Sequence, residues 1–151
     1  MNQKGIINIE NRIVEYFESK KEAAKIKHEI DVIQENNNKL IELREQLYIV
    51  GETLETIDSK IIENNNKIFN KFLVLSELSE KNAPLAFIFE QLNNEDRKIL
   101  ELRYRKKYSF TYMTGDLHRS KSSLSRRNTK ILSIIEHELD YKCNGESSFL
   151  N

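Results

Sequence analysis

A run of basic and hydroxyl side chains in the last third of the chain is the segment best suited to bind a charged partner. Between Arg119 and Lys130 there are five basic residues and no acid. On a helix in the major groove, long cations can pair with guanine, and short hydroxyls can pair with several bases. The run therefore predicts contacts with double-stranded DNA by Arg119, Ser120, Lys121, Ser122, Ser123, Ser125, Arg126, Arg127 and Lys130.

A second basic segment precedes this run and is suited to the DNA backbone. Lys106, Lys107, Tyr108 and Thr111 combine cations with hydroxyl groups, which commonly hold phosphates. The charge distribution supports a polyanionic partner, because residues 1–94 carry a net charge of −4 and residues 95–142 carry +5. Nucleic acid is the partner that this asymmetry predicts.

Other residues that could do chemistry are too scattered to form a site. The three histidines, His28, His118 and His137, are far apart in the chain, and neither they nor the single Cys143 have metal-ligand spacing. The four glycines form no phosphate-binding loop. We therefore expect no enzymatic activity, no catalytic residue, no metal site and no cofactor.

The cellular environment can also be predicted from composition. A single cysteine cannot form an intramolecular disulfide, and no secretory signal opens the chain. No apolar run approaches the roughly 20 residues that a membrane-spanning helix needs. The sequence thus predicts a soluble cytoplasmic protein without a membrane partner.

Three helices are predicted to position the basic run. Asn93 and Asn94 with the acids after them are typical of a helix start, and Lys106–Ser109 should end that helix. A short helix is expected from Phe110 to Leu117. A third should begin after Ser120 as its N-cap and end near Leu139. Three helices with a tight turn before the last are typical of a helix-turn-helix domain.

The N-terminal half carries a heptad pattern of apolar residues, spaced alternately by three and four from Ile33 to Ile68, with Asn36 and Asn64 in the same register. The segment around Asn36 recurs 28 residues later, which is four heptads. The Asn clusters either set helix register or are low-complexity drift. The pattern fits one long helix or a hairpin that turns near Gly51, and it predicts a homodimer or higher homo-oligomer through residues 13–78.

Together these patterns predict an all-α fold, with long N-terminal helices (coiled coil or helical hairpin) and a C-terminal trihelical helix-turn-helix domain. We expect an oligomerisation region at 1–82 and a linker with a short apolar helix at 83–93, because Pro84 should end a helix near Lys81. The DNA-binding domain should span 94–142, and a disordered tail 143–151.

The last third of the chain, from Asn94 onward, also resembles a known family. The segment Asn94-Glu95-Asp96-Arg97-Lys98-Ile99-Leu100-Glu101-Leu102-Arg103-Tyr104 is similar to the opening of region 4 of bacterial sigma-70 factors. The order of elements, with a divergent helical N-terminal region, resembles the ArpU/RinA-type late-gene activators of phages that infect Gram-positive bacteria. The resemblance covers about 45 of 151 residues.

The resemblance implies a sequence-specific transcription regulator, a phage or prophage activator that acts with host RNA polymerase in the cytoplasm of a bacterial host cell. It also implies that Met113, Leu117 and Leu124 pack the core of the helix-turn-helix, whereas Lys121, Ser122, Ser125 and Arg126 face DNA. Arg119 and Arg127 depart from the family pattern, because apolar residues usually occupy their positions. Their stems could cover the core while their charges reach phosphates. The alternatives are a small sigma factor and an oligomeric packaging protein that grips DNA.

Overall fold

The structure, a computed structural model, describes the backbone of residues 2–46 and 51–149 and the side chains of residues 2–46 and 53–140. This part of the chain is all-helical, as predicted from the sequence. Its elements are α1 (Gln3–Gln46), α2 (Gly51–Gln91), α3 (Asn94–Leu100), a π-helical turn (Glu101–Arg105), α4 (Phe110–Leu117) and α5 (Lys121–Phe149). The described residues form two compact units, one within residues 20–80 and the other within 1–19 and 81–151.

The unit within residues 20–80 is an antiparallel helical hairpin. Its direction follows from two ion pairs across the helices, since Glu29 pairs with Lys71 and Arg44 with Asp58. The Lys71 Nζ lies 2.7 Å from Glu29 Oε2, and the hydrogen bond to this lysine lowers the pKa of the Glu29 carboxyl. The two possibilities left by the sequence are thereby resolved in favour of the hairpin.

Three asparagines form the polar centre of this hairpin. Asn64 Nδ2 donates to Asn37 Oδ1 at 2.8 Å, and Asn37 Nδ2 donates to Asn65 Oδ1 at 2.9 Å. Asn37 and Asn64 are buried, whereas Asn36 is exposed. The heptad pattern placed Asn36 in the seam, which is wrong by one residue because α1 is rotated so that Asn37 faces α2.

The heptad seam is thus occupied by contacts within one chain. Ile57 of the predicted seam is buried, as are Ile26 and Ile30 before its start, while Leu43, also predicted in the seam, is exposed. Leu47 and Val50, two other predicted seam residues, lie outside the described residues. Because α1 and α2 already pair with each other, the heptad pattern does not itself require a second chain.

The other unit has one continuous hydrophobic core to which both ends of the chain contribute. Ile13 from α1 and Ile88 from α2 are buried in the same cluster as the side chains of α3, α4 and α5. From the C-terminal helices this cluster includes Ile99, Leu100, Leu102, Tyr104, Met113, Leu124, Ile131, Leu132, Ile135 and Leu139. The helix-turn-helix segment therefore shares its core with Ile13, which precedes the start of α3 at Asn94 by 81 positions.

The predicted break before this segment is wrong. Helix α2 continues through Pro84 to Gln91, although a proline inside a helix costs about 3 kcal/mol. Leu85, Ile88 and Phe89 are buried beyond the proline, and each such burial contributes about 1.5–3 kcal/mol, which offsets that cost. The segment 83–93 is thus the end of α2 and its junction with α3.

The last helix is also longer than predicted from the sequence. Helix α5 extends past Leu139 to Phe149 and so enters the segment 143–151, which was expected to be disordered. The side chains from residue 141 onward lie outside the described residues. Apolar spacing is clear only as far as Leu139, where the last buried side chain of the described part lies.

Candidate nucleic-acid interface

The turn between α4 and α5 is built by local capping interactions. Ser109 caps α4 by accepting a hydrogen bond from the Tyr112 amide, and His118 ends that helix in the left-handed conformation at φ 52°. After Arg119, the Ser120 hydroxyl oxygen accepts from the Ser123 amide at 3.1 Å and so caps α5. The start, turn and restart predicted from the sequence are confirmed.

The first turns of α5 present a polar and basic face. Lys121, Ser122, Ser125, Arg126 and Lys130 are all exposed, while Leu124 between them is fully buried. Leu124 packs in the same cluster as Met113 of α4, and Leu117 is partly buried against it, as the resemblance implies. This packing directs the predicted contact residues outward.

Thr129 belongs to the same exposed face, although the sequence pattern did not single it out. It follows Ser122 by seven residues and Arg126 by three, which places all three on one side of a helix. Its hydroxyl donates to the Ser125 carbonyl oxygen at 3.1 Å. This helical spacing from Ser122 is the signal that could have identified it.

Arg127 points to a different place from its neighbours on α5. Its Nε donates to Asp96 Oδ1 at 2.8 Å and its Nη2 to Asp96 Oδ2, which is a bidentate pair. Asp96 is buried at the N-terminus of α3. The hydrogen bond with Asp96 raises the pKa of the Arg127 guanidinium above its ordinary value. The side chain therefore connects α5 to α3 inside the domain.

Arg119 forms a single ion-pair contact with Glu95, the residue before Asp96. Its Nη1 lies 2.8 Å from Glu95 Oε1, and the arginine side chain is about one-third exposed. Both arginines that depart from the family pattern thus face consecutive acids on α3. Their contact with DNA stays a prediction, but in this structure their charges are directed to carboxylates.

A chain of two hydrogen bonds holds Asn128, the next residue of α5. Asn128 Nδ2 donates to Tyr104 Oη at 2.9 Å, and Tyr104 Oη donates to Glu10 Oε2 at 2.9 Å. Burial raises the pKa of the Tyr104 hydroxyl well above its usual range, so it remains a donor. Since Arg127 and Asn128 are both held, the rotation of α5 about its axis is set by side-chain contacts.

The segment before α4 forms a second exposed patch. Lys106 is exposed with its Nζ 5.9 Å from the Tyr108 ring centroid, and Lys107 has a left-handed backbone at φ 60°. Thr111 is exposed, whereas Tyr108 is half-buried against the core. The structure therefore places the four predicted phosphate-binding residues around the beginning of α4.

Tyr112 extends this patch and was not predicted from the sequence. Its ring lies 4.5 Å from that of Tyr108 and is 64% exposed. Arg103 stabilises the base of the patch, because its guanidinium lies over the Phe110 ring and donates to the Tyr108 carbonyl oxygen. An exposed tyrosine hydroxyl in the same patch as two exposed lysines is suited to bind a phosphate backbone.

Comparisons with protein-family models, curated proteins and solved structures find no match to this chain. Among the described residues, no group of three or more His, Cys, Asp or Glu side chains has a geometry that could hold a metal ion. Within the same residues, no helix combines the length and apolarity needed to cross a bilayer. The candidate site therefore rests on the geometry of α4 and α5.

Proposed function

We propose that the chain is a sequence-specific DNA-binding transcription regulator whose α5 enters the major groove. The observation that carries this function is the exposed face at the start of α5, where Lys121, Ser122, Ser125 and Arg126 surround a buried Leu124. Such a face can contact base edges directly. The patch around Lys106, Lys107 and Tyr112 holds the phosphate backbone beside it.

The similarity to sigma-70 region 4 and to the ArpU/RinA-type activators supports a narrower role. By this resemblance, the protein is a phage or prophage activator that acts with host RNA polymerase. The two arginines that depart from the family pattern are compatible with this role. Arg119 pairs with Glu95 and Arg127 with Asp96, so the packing of α3 stays intact.

A DNA-gripping assembly protein is a second candidate, favoured by the exposed apolar side chains Ile62 and Phe69 on α2. A regulator should bind one defined site with few copies of the chain. An assembly protein should instead form large rings with weak sequence preference, so the stoichiometry on DNA separates the two functions.

The DNA-binding function can be tested by selecting genomic fragments with the purified protein and measuring gel shifts on the selected site. Replacing both Lys121 and Arg126 by Ala should weaken binding at least about 30-fold, since each base contact contributes about 1–3 kcal/mol. Helicity should not change, because both side chains are exposed.

The matched control removes two exposed lysines from α1, Lys21 and Lys25, and should bind like the wild type. Wild-type affinity of the α5 variant would show that these side chains do not contact DNA. A similar loss of affinity in both double variants would reduce the effect to general electrostatic attraction.

A further inference from the structure

An apolar surface lies on α2 away from its contact with α1. Ile62 is 60% exposed, Phe69 62% and Leu73 49%, and these residues are separated by seven and four positions. A helix advances by 100° per residue, so they lie on the side opposite the buried Asn64. We call this surface the back of α2 and define it by Ile62, Asn66, Phe69 and Leu73.

The back of α2 follows a second heptad pattern. Ser59, Ile62, Asn66, Phe69, Leu73 and Ser76 are spaced alternately by three and four residues. This spacing allows two helices to pack with interlocking side chains along a shared seam. The hairpin contact with α1 uses the other side of α2, so both seams can be occupied at once.

The apolar area of the back of α2 is large enough to pair with one second copy of the chain. Phe72 is 50% exposed beside the seam, and with Ile62, Phe69 and Leu73 it presents roughly 450 Å² of apolar area, taking about 200 Å² for a whole side chain. A standard interface takes about 800 Å² from each partner, and somewhat more than half of that is apolar. The back of α2 with its polar border therefore meets the need of a stable dimer.

Asn66 decides the orientation of that dimer. In a parallel pair each seam residue faces its own copy, so the two Asn66 amides can bond to each other. In an antiparallel pair Ile62 would face Leu73, and Asn66 would face Phe69, which offers no hydrogen bond. The acids at the two ends, Glu55 and Glu80, meet other acids in either orientation and do not discriminate.

We propose that the back of α2 binds a second copy of this chain in a parallel twofold dimer. This self-association goes beyond the proposed DNA binding and does not depend on it, since it is measured without DNA. It also differs from the dimer expected from the heptad seam that begins at Ile33, because that seam is used within the hairpin.

Sedimentation equilibrium of the full chain tests the dimer. We expect a dimer for the wild type, and Phe69→Glu should raise the dissociation constant at least about 30-fold, as for a central interface residue. The matched control is Val74→Glu, on the same helix and 44% exposed but turned away from the seam. A monomeric wild type, a larger assembly, or equal behaviour of the two variants would overturn the dimer.

Disulfide cross-linking tests the orientation without disturbing the apolar residues. In a Cys143→Ser background, Ser59→Cys and Ser76→Cys should each form a covalent dimer alone. An antiparallel pair would cross-link only when the two variants are mixed. Absence of cross-links in all three samples would contradict any pairing through the back of α2.

Discussion

Arg119 and Arg127 form ion pairs with α3 at two positions where the family resemblance implies apolar packing. The family resemblance implies apolar residues at both positions, but here Glu95 and Asp96 supply a carboxylate for each arginine. The buried Asp96 would be costly without its partner, since an unpaired buried charge is strongly destabilising. The Arg127–Asp96 pair thus replaces an apolar contact between α3 and α5, and the Arg119–Glu95 pair joins α3 to the turn before α5.

A substitution at Asp96 should therefore affect stability before it affects DNA. Asp96→Ala removes both hydrogen bonds to the Arg127 guanidinium and should lower the free energy of unfolding by about 2–3 kcal/mol, measured by urea denaturation. The double variant with Leu at positions 96 and 127 should recover most of that loss, because an apolar pair can replace a buried ion pair.

Gel shifts on the double variant distinguish the two roles of Arg127. Near-normal affinity is expected if this arginine only connects the helices. A stable double variant that loses specific binding would instead place Arg127 on DNA, as the sequence alone predicted.

At the scale of whole elements, the asparagine cluster specifies how α1 pairs with α2. Asn64→Ala leaves the buried Asn37 Oδ1 without its donor and should cost about 1–3 kcal/mol in thermal or urea unfolding. Asn38→Ala is the matched control, because Asn38 is exposed in the same triplet, and its stability should be unchanged.

Replacing both Asn37 and Asn64 by Leu should keep or raise stability but weaken the register. Duplicate amide signals in a nuclear magnetic resonance spectrum would report more than one pairing. A single set of signals in that variant would mean that other contacts fix the register.

The bounds of the short helices follow from local signals and could be predicted. Asn93, Ser109 and Ser120 each cap a helix through their own side chains, and Phe110–Leu117 was predicted as it occurs. Contacts between distant segments could not be predicted in this way. The pairing of Asn37 with Asn64 depends on the rotation of two helices, which one heptad pattern leaves open.

The candidate site was predictable to a similar degree. Its exposed residues follow helical spacing, so Lys121, Ser122 and Arg126 could be placed on one face. Their neighbours Arg119 and Arg127 could not be assigned, because the acids that bind them lie on α3, more than 20 residues earlier. Tyr112 was missed because its exposure depends on how α4 packs.

At the scale of the whole molecule, the core of the helix-turn-helix is completed by residues from outside that segment. The fragment 94–151 lacks core residues from α1, from α2 and from the junction after α2, namely Ile9, Ile13, Tyr16, Leu85, Ile88, Phe89 and Leu92. At about 2 kcal/mol for each side chain, the loss is comparable to the 5–15 kcal/mol that stabilises a typical domain. We expect this fragment to show no cooperative thermal unfolding by circular dichroism.

A pair of single substitutions tests the same point in the full chain. Ile13→Ala should lower the stability of the helix-turn-helix unit by about 2–5 kcal/mol, since Ile13 is fully buried. Ile7→Ala is the control, because Ile7 lies on the same helix but is about half exposed. A cooperative transition in fragment 94–151, or equal stability of the two variants, would contradict a shared core.

The shared core also constrains the order of events during synthesis. The beginning of α1 emerges from the ribosome long before Ile131 and Ile135, the residues of α5 that share its core, have been made. The hairpin within 20–80 can close as soon as it is translated, since its contacts are complete within that segment. The apolar side of residues 3–19 therefore stays without its core partners until α5 has been translated, and exposed apolar surface of this kind makes a nascent protein prone to aggregation and a target of chaperones.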